Sequence, residues 1–492
     1  MQWLKWWPVL LAVLASSDAY RILVAFPFPS KSHGILGDGV VKHLLQAGHD
    51  VTYITPFLKT DPPQRLRQID VTKLNVKEIM DGKLNMGDHK FIINMMFNST
   101  RKSLMHRNVQ QLLQDTREEF DLVIGEWMFS DVYCGLAAVF NCPYIWFFPF
   151  EHFSVTLAML DELPNPAYTP SVLHAHEPPY DFVLRVKSLV AQVMGLFYKE
   201  LYVLIGRVLP SFYNLRFNAS LALIFSHISS SEAITRPHNY IHVGGHHIDT
   251  EVKPLPEDLK KIMDEAKNGV IYFSLGSNLK STDLPDQLKK DLLKMFGGLK
   301  QTVLWKFEEE LADMPKNVHI LKWAPQMSIL AHPKCVLFIT HGGLLSTMET
   351  IHFGIPIIGI PVFADQFHNV DKAVTKGFAK RVDISYTMTE DLRKAIDEVL
   401  TSRRYRDTVK QLSLIYHDRV VPPGRELVHW VEHVVRTRGA PHLRSPALLV
   451  PWYQKMYLDL AAVVLAVAIV LIRIGKIIIC TKKKTSERKK KN

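Results

Sequence analysis

One pattern, run twice, constrains the fold of this chain more than any other feature: short apolar strands alternate with helix-like segments across polar or Gly-bearing turns. The first half carries RILVAF, then VVKHLLQAGH and DVTYIT, and later DLVIG and PYIWFF. The second carries VIYFSLGS, TVLWKF, VHILKW, CVLFITHGG and PIIGIPVF, with helix-like stretches between them. This alternation is the mark of an α/β protein. Strands so uniformly apolar are expected to be buried on both faces of a parallel sheet.

The repetition predicts two Rossmann-like domains, at 20–245 and 265–435, facing each other across a cleft. The linker at 246–264 is marked by Pro254 and Pro256 in a charged context. Ligands of such sheets bind beyond the carboxyl ends of the strands, which places the expected site in the cleft. The region from Pro164 to Val208 fits the pattern less well, since a Pro-rich part leads into the long apolar run FVLRVKSLVAQVMGLFYKELYVLIG. Its helices either cover a lipophilic pocket, touch a membrane, or form a plain packed insertion.

Both ends of the chain are addressed to membranes. Residues 1–19 read as a signal peptide, with Lys5, an apolar run from Trp6 to Ala15, and small residues at Ser17 and Ala19. After a juxtamembrane segment at 436–456, residues 457–480 read as a transmembrane helix. The 23 residues from Leu458 to Cys480 would extend over roughly 34 Å as a helix, enough to cross a bilayer. Trp452, Tyr453 and Tyr457 before it suit an interface belt, and the basic tail at 481–492 is a positive-inside signal. A buried core helix, or a helix lying on the membrane, is the alternative reading of the same run. The expected topology is single-pass type I, with the body in a lumen, and the terminal lysines resemble the dilysine signal of the endoplasmic reticulum.

The net charge of +11 belongs mostly to that tail, whose seven Lys or Arg against one Glu account for +6 and leave +5 for the other 480 residues. With no nucleic-acid-binding motif in the body, nucleic acid is not an expected partner. Asn98 and Asn218 stand in glycosylation sequons, consistent with a lumenal body. Cys134, Cys142 and Cys335 would share that compartment, so at most one bridge can form among them, and whether it does stays open.

The densest run of functional residues is WAPQMSILAHPKCVLFITHGGLLSTMETIHFGIPIIGIPVFADQ, from Trp323 to Gln366. CVLFIT is a buried strand, and HGG follows it where a helix should begin, so His341 and the amides around Gly343 can face a diphosphate. Glu349 lies three residues after Ser346, on the same helix face. Trp323 and Gln326 bracket a turn set by Pro325, a platform for a base. Asp365 and Gln366 end an apolar strand with a carboxylate and an amide together, the polar pair that sugar hydroxyls require. The loop Ser274, Leu275, Gly276, Ser277 offers hydroxyl and amide donors to the same phosphates.

This run closely resembles the signature of the UDP-glycosyltransferases, and the likeness extends over nearly the whole chain. HGGLLSTMET and APHLRSPALLVPWYQ resemble insect members more than vertebrate ones. The resemblance implies the GT-B glycosyltransferase fold and a UDP-sugar as co-substrate. It implies that Trp323 stacks on uracil, Gln326 bonds the nucleoside, Glu349 holds the ribose hydroxyls, and Asp365 and Gln366 select the sugar. No cofactor is expected. There is no Asp-x-Asp triplet to suggest a metal clamp, and the histidines at 238, 242, 246 and 247 are too irregularly spaced to suggest zinc.

Inverting transfer needs a base for the acceptor hydroxyl, and a histidine suits it near neutral pH. His33 follows the first strand and matches the family's catalytic histidine. The family pairs it with an acidic residue from a strand-to-helix turn of the same domain. Here FDLVIGEWMFSD offers two, Glu126 at the strand end and Asp131 expected one helical turn later. Asp131 is slightly preferred, because Asp131 with Cys134 matches the insect pattern. Near the end of the second domain, the helix VHWVEHVVR after Pro422 is expected to pack back over the N-terminal domain.

The expected activity is transfer of a hexose, glucose by family inference, to a hydroxyl of a small lipophilic acceptor such as a phenol, steroid or xenobiotic. Glucuronic acid and galactose stay open, as does self-association. Two rivals remain: a non-catalytic lumenal protein that binds hydrophobic ligands, and a transferase acting on a lipid or a protein.

Overall fold

A computed structural model of the chain describes residues 19–72, 89–151, 154–160, 165–167, 169, 180–205, 215, 217–233, 235–249, 251–276, 284–309, 311–362, 365–385 and 387–489. The signal-peptide reading, Ser277 and much of the Pro164–Val208 region fall outside the described residues.

The first sheet runs β1 (Arg21–Ala25), β2 (Asp50–Thr55), β3 (Leu66–Asp70), β4 (Leu122–Glu126), β5 (Tyr144–Phe148), β6 (Leu221–Ile224) and β7 (Tyr240–His242). Its spatial order is β3-β2-β1-β4-β5-β6-β7, and every pairing is parallel. All five residues of β5, YIWFF, are buried, as a strand covered on both faces requires. The second sheet runs β8 (Val270–Ser274), β9 (Thr302–Lys306), β10 (Val318–Leu321), β11 (Cys335–Thr340), β12 (Ile357–Gly359) and β13 (Ala379–Arg381). Its order, β10-β9-β8-β11-β12-β13, is also wholly parallel.

Each sheet reverses its winding once, between β1 and β4 in the first and between β8 and β11 in the second. At such a reversal the loops leaving the two neighbouring strands diverge, which opens a crevice at their carboxyl ends. The residues after β1, β4, β8 and β11 are therefore the ones the topology offers to a ligand.

Among the helices of the described residues are α1 (Lys31–Gln46), α2 (Phe182–Ile205), α3 (Gln326–Ala331), α4 (Leu344–Phe353), α5 (Gln366–Thr375), α6 (Pro423–Arg436) and α7 (Leu458–Lys489). α1 buries Leu36, Val40, Val41 and Leu44, a helical stripe laid on the first sheet. α6 packs back over the N-terminal half against α1, as its sequence suggests. Its buried stripe is Leu427, Val431 and Val434, each worth about 1.5–3 kcal/mol of transfer free energy when fully buried. Glu432 of α6 adds a polar contact, its Oε1 3.2 Å from His49 Nε2.

The backbone thus passes between the halves twice, and the two passages touch: Arg419 Nη2 donates to the Gly244 carbonyl at 2.9 Å. α2 leaves Phe182, Val183 and Val190 exposed. In α7, the most apolar 18-residue window of Leu458–Thr481 has a mean hydropathy of 2.7 and none of that span is buried, so by length and composition the helix can cross a membrane.

Candidate active site

The first wall of the cleft is built at the β1/β4 reversal. β1 ends at Ala25, and the chain runs through Phe28 and Ser30 into α1, whose first turn carries His33. The neighbouring strand β4 ends on Glu126, which is buried. These two strand ends bring the His33 Nδ1 into direct contact with the Glu126 carboxylate, and the edge of the Phe28 ring packs on the imidazole at 4.8 Å. A carboxylate can only accept, so this contact puts the proton of a neutral His33 on Nδ1 and leaves Nε2 as the basic nitrogen. The second Glu126 oxygen is buried with no hydrogen-bond partner among the described residues, so the carboxylate's described polar contact is with His33.

The preference for Asp131 is corrected here, because Glu126 is the carboxylate placed against His33. Phe129 adopts a left-handed φ of 55°, and the next helix starts only at Cys134, so Asp131 does not lie one helical turn past the strand. It accepts instead from the Trp127 indole at 2.6 Å.

The second wall is built at the β8/β11 reversal. Gly276 and Gly343 flank the His341 ring so closely that a Cβ on either would lie 2.6 Å from it, and Gly276 also needs a φ of +85°. Burial, with the charge of Lys306, pushes the His341 pKa down to about 4, so the ring stays neutral. Its Nδ1 has no partner among the described residues. Beside it the first-turn amides of α4 lack acceptors within their own helix. An enclosed neutral imidazole next to a helix N-terminus suits an incoming anion. Ser274 Oγ accepts from the Gly276 amide at 3.3 Å, and Lys306 Nζ donates to the Gly276 carbonyl at 2.9 Å, which braces the loop.

Gln326, the first residue of α3, reaches two positions on α4, donating to Ser346 Oγ at 3.0 Å and to Glu349 Oε2 at 2.7 Å. Trp323 projects from the same turn, 64% exposed. Asp365 stands at the N-cap position of α5 without a side-chain capping bond, and Gln366 is the first helical residue. Asn369, one turn on, donates to Asp365 Oδ2 at 2.7 Å and to the Gly342 carbonyl at 3.1 Å. Desolvation raises the Asp365 carboxyl pKa, and the hydrogen bond from Asn369 acts in the opposite direction. Gln366 is buried, and its Oε1 accepts from the Val362 amide at 2.9 Å.

Several side chains that complete the cleft carry no local sequence signal. Lys31, two residues before His33, sets its Nζ 4.8 Å from the centre of the Trp323 ring on the opposite wall. His247 approaches Glu349 across the cleft, and Asn369 and Lys306 support the loops from behind. The histidines near β7 are engaged separately. His242 Nδ1 lies 2.7 Å from Ser226 Oγ, and His246 contacts the carbonyls of Leu36 and Val243. Among the described residues no three His, Cys, Asp or Glu side chains are grouped to hold a metal ion.

Away from the cleft, Asn98 is exposed on the helix His89–Leu104, while the Thr100 hydroxyl of its sequon is buried against the Met96 carbonyl. The Asn218 side chain is bonded to Arg444. None of the four cysteines is in a disulfide.

The comparisons agree with this architecture. Residues 40–492 match the family model described as UDP-glucoronosyl and UDP-glucosyl transferase. UDP-glucosyltransferase 2 of Dactylopius coccus is 32% identical over 467 residues, covering 91% of this chain and 90% of that protein. Human UDP-glucuronosyltransferase 2B15 is 28% identical over 543 residues, covering 99% of each. Among solved structures, the calicheamicin glycosyltransferase CalG4 superposes with a TM-score of 0.58 at 17% identity, over 85% of this chain and 99% of its own. A UDP-glucosyltransferase from Polygonum tinctorium gives 0.58 at 16% identity over the same shares. With two parallel sheets in the GT-B arrangement and a family match over most of its length, the chain belongs to the UDP-glycosyltransferase family and is a glycosyltransferase that uses a UDP-sugar donor.

Proposed function

We propose that the enzyme transfers glucose from UDP-glucose, with inversion, to the hydroxyl of a small lipophilic acceptor, and that His33 is the base. The observation that carries this reading is the contact of His33 Nδ1 with the buried Glu126 carboxylate at the β1/β4 reversal. The acceptor oxygen attacks the anomeric carbon as its proton passes to His33 Nε2. The bond from that carbon to the UDP oxygen breaks, and the electron pair leaves with UDP. Glu126 stabilises the imidazolium so formed. The charge on the departing diphosphate meets the α4 amides and the enclosed His341. Trp323 supplies the stacking face for uracil, so the base displaces Lys31 from that ring. Glu349 and Gln326 take the ribose and nucleoside, and Asp365 with Gln366 takes the sugar.

Glucose is supported by the name of the Dactylopius relative, and glucuronic acid by that of the human one. The apolar helix Leu458–Thr481 and the basic tail support a single-pass anchor in the endoplasmic reticulum with the body in the lumen. The test is to incubate microsomes containing the full chain with UDP-glucose, UDP-galactose or UDP-glucuronic acid and a panel of phenols, steroids and lipids, with 1-naphthol and UDP-glucose as the first pair. UDP release that requires both UDP-glucose and a small phenol or steroid supports the proposal. Release with lipids alone redirects it to a lipid acceptor. UDP binding with no release under any pairing supports a binding protein.

A further inference from the structure

Lys372 is an ammonium only 4% exposed, held at the boundary between the two halves by two carboxylates of the N-terminal half. It contacts Glu151, itself 4% exposed, and lies 2.8 Å from Glu232. Burial pulls its pKa down, but the two carboxylates outweigh that and hold it above its ordinary value. Such groups are rarely taken out of water, and buried ion pairs often add little net stability over apolar residues of the same volume. What they do impose is geometry, because a charge so placed has one acceptable position.

The register of α5 shows what that geometry controls. Asp365, Asn369 and Lys372 stand at i, i+4 and i+7, one stripe of the helix and its cap. The top of the stripe is Asp365 in the cleft. Its middle is tied by Asn369 to Asp365 and to the Gly342 turn, and its foot is Lys372, bonded to carboxylates of the opposite half. The acidic end is equally tied to the base. Glu151 follows Phe150, which packs on Trp127 and Phe129, and Trp127 follows Glu126. Contact and chain continuity thus lead from His33 through Glu126, Trp127, Phe150 and Glu151 to Lys372, and α5 itself leads from Lys372 to Asn369 and Asp365.

We propose that Lys372 is a positioning residue for sugar transfer: its ion pairs with Glu151 and Glu232 fix the rotation and depth of α5 against the N-terminal half, and so the placement of Asp365 and Gln366 relative to His33. This rests on the reading of His33 as the base and Asp365 as a sugar ligand. The nucleotide site is built on α3 and α4, so loss of the link misplaces the sugar against the base without dismantling UDP binding.

The experiment compares the full-length protein with Lys372→Met, Lys372→Arg and Glu151→Gln, measuring kcat with UDP-glucose and 1-naphthol, or the best pair of the panel, together with the Kd for UDP. Lys372→Met is expected to lower kcat by about a hundredfold, the usual effect of misplacing reactants by about 1 Å, with UDP affinity within about threefold. Lys372→Arg restores most of the rate. Glu151→Gln leaves Lys372 paired with Glu232, so it strands no buried charge. It is expected to reduce kcat about tenfold at unchanged UDP affinity, and it decides the matter if Lys372→Met does not fold. Wild-type kcat in Glu151→Gln, or kcat and UDP affinity falling together in every folded variant, overturns the proposal. His33→Ala and Asp365→Asn run alongside. If both keep full rate, the site reading itself has failed, whereas if they lose rate while both link variants keep it, only the role of Lys372 is lost.

Discussion

His247 Nε2 lies 3.3 Å from a carboxylate oxygen of Glu349, so a residue that follows the first sheet holds the acidic side chain proposed to bind ribose in the second half. The other Glu349 oxygen accepts from Gln326. The carboxylate is thereby oriented from both sides of the cleft before nucleotide arrives. Glu349→Ala is expected to weaken UDP binding by about ten- to a hundredfold, the range of hydrogen bonds to a charged group. His247→Ala is expected to weaken it less, by about threefold to tenfold, because it removes only the orienting contact. Titration calorimetry with UDP checks both, and unchanged affinity in Glu349→Ala would remove that residue from the nucleotide site.

Turnover separates the two carboxylates near the base. His33→Ala should lower kcat by about a hundredfold to ten-thousandfold with UDP affinity little changed. Glu126→Gln keeps the shape of its side chain but loses the charge that stabilises the imidazolium, and should cost at least about tenfold. Asp131→Asn should stay within about threefold, since the Asn amide oxygen can still accept from the Trp127 indole. A larger loss in Asp131→Asn than in Glu126→Gln would reverse the assignment.

Stability should fall on mild acidification. Burial, with neighbouring positive charge, pushes His246 and His227 down to about 3 and His341 and His352 to about 4, against an ordinary value of 6.5. Below pH 6.5 the unfolded chain binds protons that the folded chain does not. Stability present above pH 6.5 is therefore lost progressively as the pH falls toward 4 and 3. The expected result is a Tm lower at pH 5.0 than at pH 7.5 by about 5 °C or more, read by scanning fluorimetry in detergent. A Tm that is level over that range would contradict it.

α7 is exposed along the residues able to span a membrane, so its removal should not disturb the body. Ending the chain after Lys455 is expected to release the protein from carbonate-washed microsomes while keeping UDP affinity within about twofold. Retention in the washed pellet would point to another membrane-binding surface, and the apolar residues exposed on α2 are where to look for it.

The two parallel sheets were legible in the sequence because central strands such as YIWFF and CVLFIT are apolar throughout and end at polar or glycine turns. His33, His341 and Glu349 were legible for a related reason: each follows a strand at a short, fixed distance. Asp131 misled because the turn after β4 depends on a left-handed Phe129, a conformation that a bulky residue does not announce. The docking of α6 on the N-terminal half was legible from its apolar stripe, but the individual polar contacts between the halves were not. His247 finds Glu349 across 102 positions and Lys372 finds Glu151 across 221, separations over which no local period carries information.

The double passage of the backbone limits how the enzyme can move. A pair of lobes joined by a single strand can swivel freely. Here the segment after Gly244 and the one before α6 cross side by side, linked by the bond from Arg419 to the Gly244 carbonyl. With two adjacent tethers, twisting is resisted and one motion stays soft, a rotation about the line of the crossings. Any opening for substrate about that line must also break the ion pairs of Lys372 with Glu151 and Glu232, so the crossings and the ion pairs together favour the closed jaw.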